Sequence, residues 1–346
     1  MNKSAIRKFA VWARQELIRS AAAQAARYGI TAEGAEEASE GHVAGRILSP
    51  EEITQRGELL RRIERRGFDA MMEEAAYTWF NRFIALRFME VNACLPLMVR
   101  LFSDENGEFH PQILAEALDL DPAAGFDVMK IARYMEREEQ NELYRYLLFT
   151  ECHGLADIFP GLFEKEGDWS ELLFPDQLLR GDSVLARMVQ DIPEDDWKDA
   201  VQILGWLYQY YNEELNEMVY DGSMAKKKVT KELLPAATTI YTPDFPVRYM
   251  AENSLGRLWL SGHPEDKAHF LGEKGGEKRW RYYLEDAPQE ASVEAVLADI
   301  RRQAAHLEPQ DIRLIDPCCG SGHILAYAFD MLMDIYTAHS WRPRPS

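Results

Sequence analysis

The sequence predicts a mainly α protein in two parts: an all-α domain over residues 1–225, then the beginning of an α/β domain over 226–346. Three observations carry this. Helical spacing recurs through the first two-thirds of the chain, and no convincing strand alternation precedes about residue 238. The hydrophobic set makes up 47% and charged residues 28%, a globular composition. Finally, residues 312–336 read as strand, tight glycine turn and helix.

The elements follow in order. Ile6, Phe9, Ala10, Ala13 and Leu17 recur at three- and four-residue steps and predict an amphipathic first helix. Its Lys3, Arg7, Lys8, Arg14, Arg19 and Arg27 outnumber Glu16. Residues 31–47 are small, polar and Gly-rich, and predict an irregular connection. Ser49-Pro50-Glu51-Glu52 is a helix start, with a Ser cap, Pro in the first turn and acids after it. Residues 68–91 place Met72, Ala75, Trp79, Phe83, Leu86 and Glu90 on one stripe, broadened by Phe80, Ile84 and Phe88. So much apolar surface predicts a central core helix rather than a base-stacking platform. Residues 198–218 read as one further aromatic helix.

Beyond Lys226, Lys227, Lys228 and Lys231, which form a basic turn, the pattern changes. Thr242-Pro243 suits a helix entrance, with Val247, Met250 and Leu255 inward. Residues 272–279 read as an exposed loop, and 291–307 as an amphipathic helix with Val293, Val296, Leu297, Ile300 and Leu307. Ile312, Leu314 and Ile315 predict a buried strand.

Charge is uneven. The net of −19 comes mainly from residues 101–200, which hold 8 basic and 24 acidic residues. Residues 1–100 hold 15 and 13. The basic first helix and the Arg61, Arg62, Arg65 and Arg66 cluster are more often solvated faces than phosphate contacts. The four cysteines form no C-x-x-C pair, so Cys318-Cys319 predicts no metal site. No secretory signal is visible and no apolar run approaches 18 residues, so a cytoplasmic location with no membrane partner is expected.

The turn at 316–322 carries the chemistry. An acid at a strand end followed by Gly-x-Gly places a small-molecule site at the edge of an open α/β sheet. The glycines let the backbone turn and a ligand approach. A dinucleotide fingerprint needs Gly at position 325, where Leu325 stands, and a Walker A motif needs Lys where His323 stands.

Asp316-Pro317-Cys318-Cys319-Gly320-Ser321-Gly322 resembles motif I of adenine-N6 DNA methyltransferases, and Tyr241-Thr242-Pro243 resembles their motif X. The strings AYTWFNRFIALRFME (76–90), QILGWLYQYYNEE (202–214), TKELLPAATTIYTP (230–243) and VRYMAENSLGRLW (247–259) resemble, in order, the PglX family of BREX phage-defence methyltransferases. The resemblance implies a class I, Rossmann-like domain and S-adenosylmethionine as cofactor. It implies contacts from Thr242, Pro243, Asp316, Pro317, Gly320, Ser321 and Gly322. It further implies double-stranded DNA as substrate, with the target adenine flipped out, and other BREX proteins as partners. The family's catalytic Asn-Pro-Pro-Tyr motif has no counterpart, because the sequence contains no Pro-Pro pair. The acid expected after the second strand to hold the cofactor ribose is also missing. The expectation is therefore an N-terminal portion, truncated after the first strand and helix and inactive alone. The competing expectation is a non-catalytic helical scaffold whose cofactor loop is vestigial.

Overall fold

The computed structural model describes residues 1–37, 41–198, 200–220, 229, 234–238, 240–274, 277–320 and 322–340. The chain divides into two compact units, Met1–Ala237 and Thr238–Ser346. It is mainly helical, and the strands described form three two-residue antiparallel hairpins. The longer helices of the first unit are α1 (Lys3–Arg27), α2 (Pro50–Arg66), α3 (Phe68–Val91), α4 (Val128–Glu136), α5 (Gln140–Leu155), α6 (Val184–Asp191), α7 (Gln202–Tyr211) and α8 (Glu213–Tyr220). Those of the second are α9 (Asp244–Ala251), α10 (Arg257–Gly262), α11 (Ala291–Ala304) and α12 (His323–Ser340).

The first unit is built around α3. Met72, Ala75, Trp79, Phe80, Phe83, Ile84 and Leu86 are all buried, and Phe88 is half-buried. The Trp79 ring meets Phe174 edge-on at 4.6 Å and stacks on Phe149 at 5.7 Å, while its Nε1 donates to the Ser170 carbonyl at 2.9 Å. That hydrogen bond is what lets an indole sit in the core without an unpaired donor. Glu90 is buried too. It accepts from the backbone N–H groups of Leu101 (2.6 Å) and Phe102 (2.7 Å) and from Ser103 Oγ (2.7 Å), and it pairs with buried Arg87. Two charges buried together need such partners; Glu90 has them on both oxygens, while Arg87 Nε has none among the described residues.

α1 lays Ile6, Phe9, Ala10, Ala13 and Leu17 on this core. Its cations turn to acids of the same chain: Arg7 to Glu213, Arg14 to Glu73 and Glu214, Arg19 to Glu16, and Arg27 to Asp176. Arg62 and Arg66 likewise meet Glu58 and Glu74. α2 starts as its sequence predicts. Ser49 Oγ accepts from Glu52 N–H at 3.1 Å, the Glu52 carboxylate accepts from Ser49 N–H at 2.8 Å, and Pro50 fills the first position.

Two expectations in this unit need correction. Residues 30–47 are not simply irregular. Ile30–Thr31 pairs with Gly34–Ala35, and His42–Val43 with Arg46–Ile47. Burial of Val43 and Leu48 against Tyr28 and Leu172 anchors the segment, and side chains that close to the core are hidden by the composition around them. The single helix expected over 198–218 is two, α7 and α8, meeting at Asn212. The Asn212 side chain donates to the Tyr208 carbonyl at 3.0 Å, a local bond that competes with continuing the helix.

In the second unit, Ala251, Leu255, Trp259, Phe270, Trp280, Ala328, Met331 and Ile335 form the core. Inward residues recur every fourth position: Val247, Ala251, Leu255 and Trp259. That interval exceeds 3.6 residues, and a wide π-helical turn at Glu252–Gly256 between α9 and α10 accommodates it. The same spacing corrects Met250, which is exposed rather than inward. The loop expected at 272–279 contains a hairpin, Glu273–Lys274 with Glu277–Lys278. Most of the Lys-rich turn at 226–231, including Lys226, Lys227, Lys228 and Lys231, lies outside the described residues.

The predicted strand at 312–315 is the largest correction. The backbone is extended at Ile312 (φ −65°, ψ 128°), but no strand pairs with the segment among the described residues. Ile315 is 87% exposed and Leu314 is exposed as well. A parallel strand is defined by neighbours, and none is present among the described residues to bury it. The Rossmann-like part of the expected fold is therefore represented only by an unpaired segment, a turn and α12.

Candidate cofactor site

The turn between segment 312–316 and α12 is held locally. Asp316 Oδ1 accepts from Cys318 N–H at 2.9 Å, and Gly322 N–H donates to the Cys319 carbonyl at 2.8 Å. Ala326 N–H donates to the Gly322 carbonyl at 2.8 Å and opens the helix. Gly320 (φ +53°) and Gly322 (φ +79°) both occupy the left-handed region, which explains the residue type. A Cβ on Gly320 would meet nothing nearer than the Cys318 carbonyl oxygen at 3.9 Å, and one on Gly322 nothing nearer than Cys319 Sγ at 4.0 Å. A Cβ at either position would make only ordinary van der Waals contact, so the left-handed backbone and not crowding is what calls for glycine. Asp316 Oδ2 is shielded from solvent and has no hydrogen-bond partner among the described residues. A buried carboxylate oxygen without a donor is costly, so this atom is ready to accept from a ligand's ammonium or hydroxyl group. Pro317 is exposed in the turn, and Ser321 lies outside the described residues.

The Tyr-Thr-Pro string reaches the start of α12 through His323. His323 Nδ1 lies 2.8 Å from Tyr241 Oη and 3.2 Å from the Thr242 carbonyl oxygen. The Tyr241 and His323 rings stack with centroids 5.1 Å apart, inclined at 11°. With its proton on Nδ1, the imidazole donates to the carbonyl, which can only accept. Burial pushes the Tyr241 hydroxyl well above its ordinary pKa, so the phenol stays neutral in this contact. Pro243 caps α9 (φ −58°, ψ 159°), and Asp244 in its first turn pairs with Arg248 at 2.7 Å. The structure thus brings Thr242 to the helix that follows Gly320 and Gly322.

A second clasp lies one turn further along α12. Buried Glu252, in the π-helical turn, accepts from Tyr327 Oη at 2.8 Å and from Tyr282 N–H at 2.5 Å. Desolvation raises the Glu252 pKa despite those donors. The Arg248 guanidinium sits over the Tyr327 ring at 4.9 Å. The resemblance to motif X implies that Thr242-Pro243 lies near the glycine loop, but sequence reasoning names neither the His323 contact nor the Tyr327 contact. His323 and Tyr327 carry the α12 spacing but no motif, and their partners lie 82 and 75 residues away.

The first unit holds a separate cavity of about 670 Å³, bordered by Glu51, Lys130, Arg145, Tyr146, Phe149 and His153. Burial first, then Glu166 and Glu171, raises the Glu51 pKa there. The group with metal-ligand spacing found among the described residues is Asp104, Glu108 and His110 in the same unit, and it does not involve Cys318 or Cys319. No described helix is long and apolar enough to cross a membrane.

No family model matches the chain. Two curated proteins do. The chain is 35% identical over 359 residues to the adenine-specific methyltransferase BrxX of Escherichia coli O9:H4 (strain HS), covering 99% of this chain and 28% of that protein. It is 35% identical over 380 residues to the adenine-specific methyltransferase PglX of Lacticaseibacillus casei (strain Zhang), covering 99% and 30%. The chain therefore spans less than a third of the length of these relatives. Identity of this level along almost every residue places the chain in the family of the BrxX and PglX proteins, which are themselves named adenine-specific methyltransferases.

Proposed function

We propose that this chain is the cofactor-holding portion of an adenine-N6-specific DNA methyltransferase of a BREX phage-defence system. The observation that carries the reading is 35% identity over 99% of the chain to proteins named adenine-specific methyltransferases, combined with an unpartnered Asp316 Oδ2 beside a left-handed glycine turn. When bound, S-adenosylmethionine supplies an activated methyl group. The residues of this chain hold it. Gly320 and Gly322 let the ligand approach the backbone without a Cβ in the way. Asp316 Oδ2 accepts from its amino or hydroxyl groups, and the N-terminal turn of α12 favours its carboxylate. Tyr241 and His323 hold Thr242 at the start of that helix, with Pro243 next in the chain. Pro317 lies exposed in the turn, and Ser321 is a contact that the resemblance to motif I implies.

The base-binding Asn-Pro-Pro-Tyr motif lies outside this sequence, which contains no Pro-Pro pair. By this reading the chain alone transfers no methyl group, and a flipped adenine is held by other parts of the enzyme. The contacts with DNA are made there too by this reading, since Arg7, Arg14, Arg62 and Arg66 of α1 and α2 are paired with acids of their own unit. The acidic stretch 101–200 is available to other proteins of the defence system.

The test is calorimetric titration of S-adenosylmethionine into the wild-type chain and into Gly320→Val. Weak binding by the first and none by the second is expected, with affinity reduced roughly ten- to a hundredfold by the missing ribose contact. Equal heats from both remove the loop's role. No binding by either, with the fold intact, favours a scaffold.

A further inference from the structure

The cavity of about 670 Å³ in the first unit is bordered by α4, α5 and the start of α2 and takes no part in the cofactor site. Two cations reach it, Lys130 from α4 and Arg145 from α5. Both are half-buried and held over aromatic rings. Lys130 Nζ lies 4.3 Å from the centre of the Tyr146 ring, and Arg145 Cζ lies 5.1 Å from that of Phe149. Arg145 Nη2 also donates to the Glu171 carbonyl at 3.1 Å. Neither cation forms an ion pair with a carboxylate among the described residues, whereas Arg7, Arg14, Arg62 and Arg66 all do.

Glu171 fixes a third polar wall group. Its buried carboxylate lies 2.7 Å from His153 Nε2 on one oxygen and accepts from the Gln55 amide at 2.9 Å on the other. Other acids border the cavity, but their setting differs. Glu51, Glu142 and Glu166 are exposed, where water and salt screen their charge. Half-buried Glu52 is already engaged by Ser49 N–H at 2.8 Å and Tyr28 Oη at 3.0 Å. The charge left unanswered in the less exposed wall is therefore positive. An arginine fork and a lysine drawn from two helices suit a group with several oxygens, such as phosphoryl. Tyr134, Tyr146 and Phe149 add aromatic surface for an organic remainder.

We propose that this cavity binds a small phosphomonoester, with its phosphoryl oxygens on Lys130 and Arg145 and its organic part along the aromatic wall. Nucleotides and simpler alcohol phosphates share that chemistry, and the probes below separate them.

The test titrates adenosine monophosphate, glycerol phosphate, inorganic phosphate, adenosine and spermidine into the full chain by calorimetry, without S-adenosylmethionine. At least one of the two esters should bind more tightly than inorganic phosphate, and adenosine and spermidine should not bind. Preference for adenosine monophosphate identifies a nucleotide site, and preference for glycerol phosphate an alcohol-phosphate site. Lys130→Gln and Arg145→Lys should each weaken the ester by roughly tenfold, the loss of one hydrogen bond to a charged group. Glu51→Gln, which removes a carboxylate from the mouth, should bind at least as tightly as the parent chain. Lys130→Gln should keep the parent's circular dichroism, so it decides the matter even if Arg145→Lys fails to fold. Binding of neither ester, binding unmoved by Lys130→Gln, inorganic phosphate or adenosine binding as tightly as the esters, or spermidine binding that Glu51→Gln abolishes overturns the proposal. The outcome of the cofactor titration does not bear on it, because that loop lies in the second unit.

Discussion

The two units treat similar sequence patterns in opposite ways. In the first, the apolar stripes of α1 and α3 are buried almost to the last side chain, and even Arg87 and Glu90 lie inside, paired with each other and hydrogen-bonded to Ser103. In the second, the stripe of α11 and one face of α12 are exposed, although their periodicity is just as regular. An apolar repeat thus specifies that a helix forms and which side is adhesive. It does not specify that a partner is there. Unit one is a closed core, and unit two is a core with an open side.

Perturbing each region sharpens the contrast. Trp79→Ala should have the largest effect, on the order of 3–5 kcal/mol, because it empties a packed aromatic site and strands the Ser170 carbonyl. Urea denaturation followed by tryptophan fluorescence measures it, and a loss below 1 kcal/mol would show that α3 is not the centre of the first unit. Gly262→Ala tests the closed part of the second unit. Its Cβ would sit 2.3 Å from the backbone carbonyl group of Ala304, a contact that only movement of α11 can relieve. A loss of about 1–3 kcal/mol is expected in the second unit's transition, and an unchanged melt would contradict that close approach.

Glu151 gives the first unit a pH signature. Burial raises its carboxyl from 4.5 to about 7, and its Oε1 has no partner among the described residues. The folded chain therefore holds this proton over a range in which the unfolded chain has released it. Stability from this group is fully present below about pH 4.5 and is lost as pH rises toward 7, with a slope of at most about 1.4 kcal/mol per pH unit. Glu151→Gln should flatten that part of the stability curve, and a slope identical to wild type would count against it. The smallest effect belongs to the open side. Phe329→Ser should change stability by no more than about 0.5 kcal/mol, since the ring is 61% exposed. A loss comparable to that at Trp79 would mean the stripe is covered within this chain after all.

Much of the architecture was legible one residue at a time. The cap at Ser49, the helix entrance at Pro243, the core stripe of α3 and the left-handed glycines at 320 and 322 each follow from local chemistry, in which a few neighbouring residues satisfy one another. The loop resembling motif I could be found because its requirements are also local, a sharp turn and an acid at its start. Where local reasoning failed, the deciding partner was distant. Met250 turned outward because a π-helical turn changed the spacing of its neighbours. The hairpins at 30–47 depend on Val43 finding Tyr28 and Leu172.

The sequence by itself determined most of the helical segments, where several of them start, and which glycines take the left-handed turn, because backbone hydrogen bonds, caps and φ preferences act over a few residues. Only the tertiary structure decided that Tyr241 and Thr242 meet His323 across some 80 positions, that Glu252 holds Tyr327, and that Ile315 faces outward. Burial and pairing are properties of what lies opposite a residue, and a one-dimensional pattern states only what a residue would accept there.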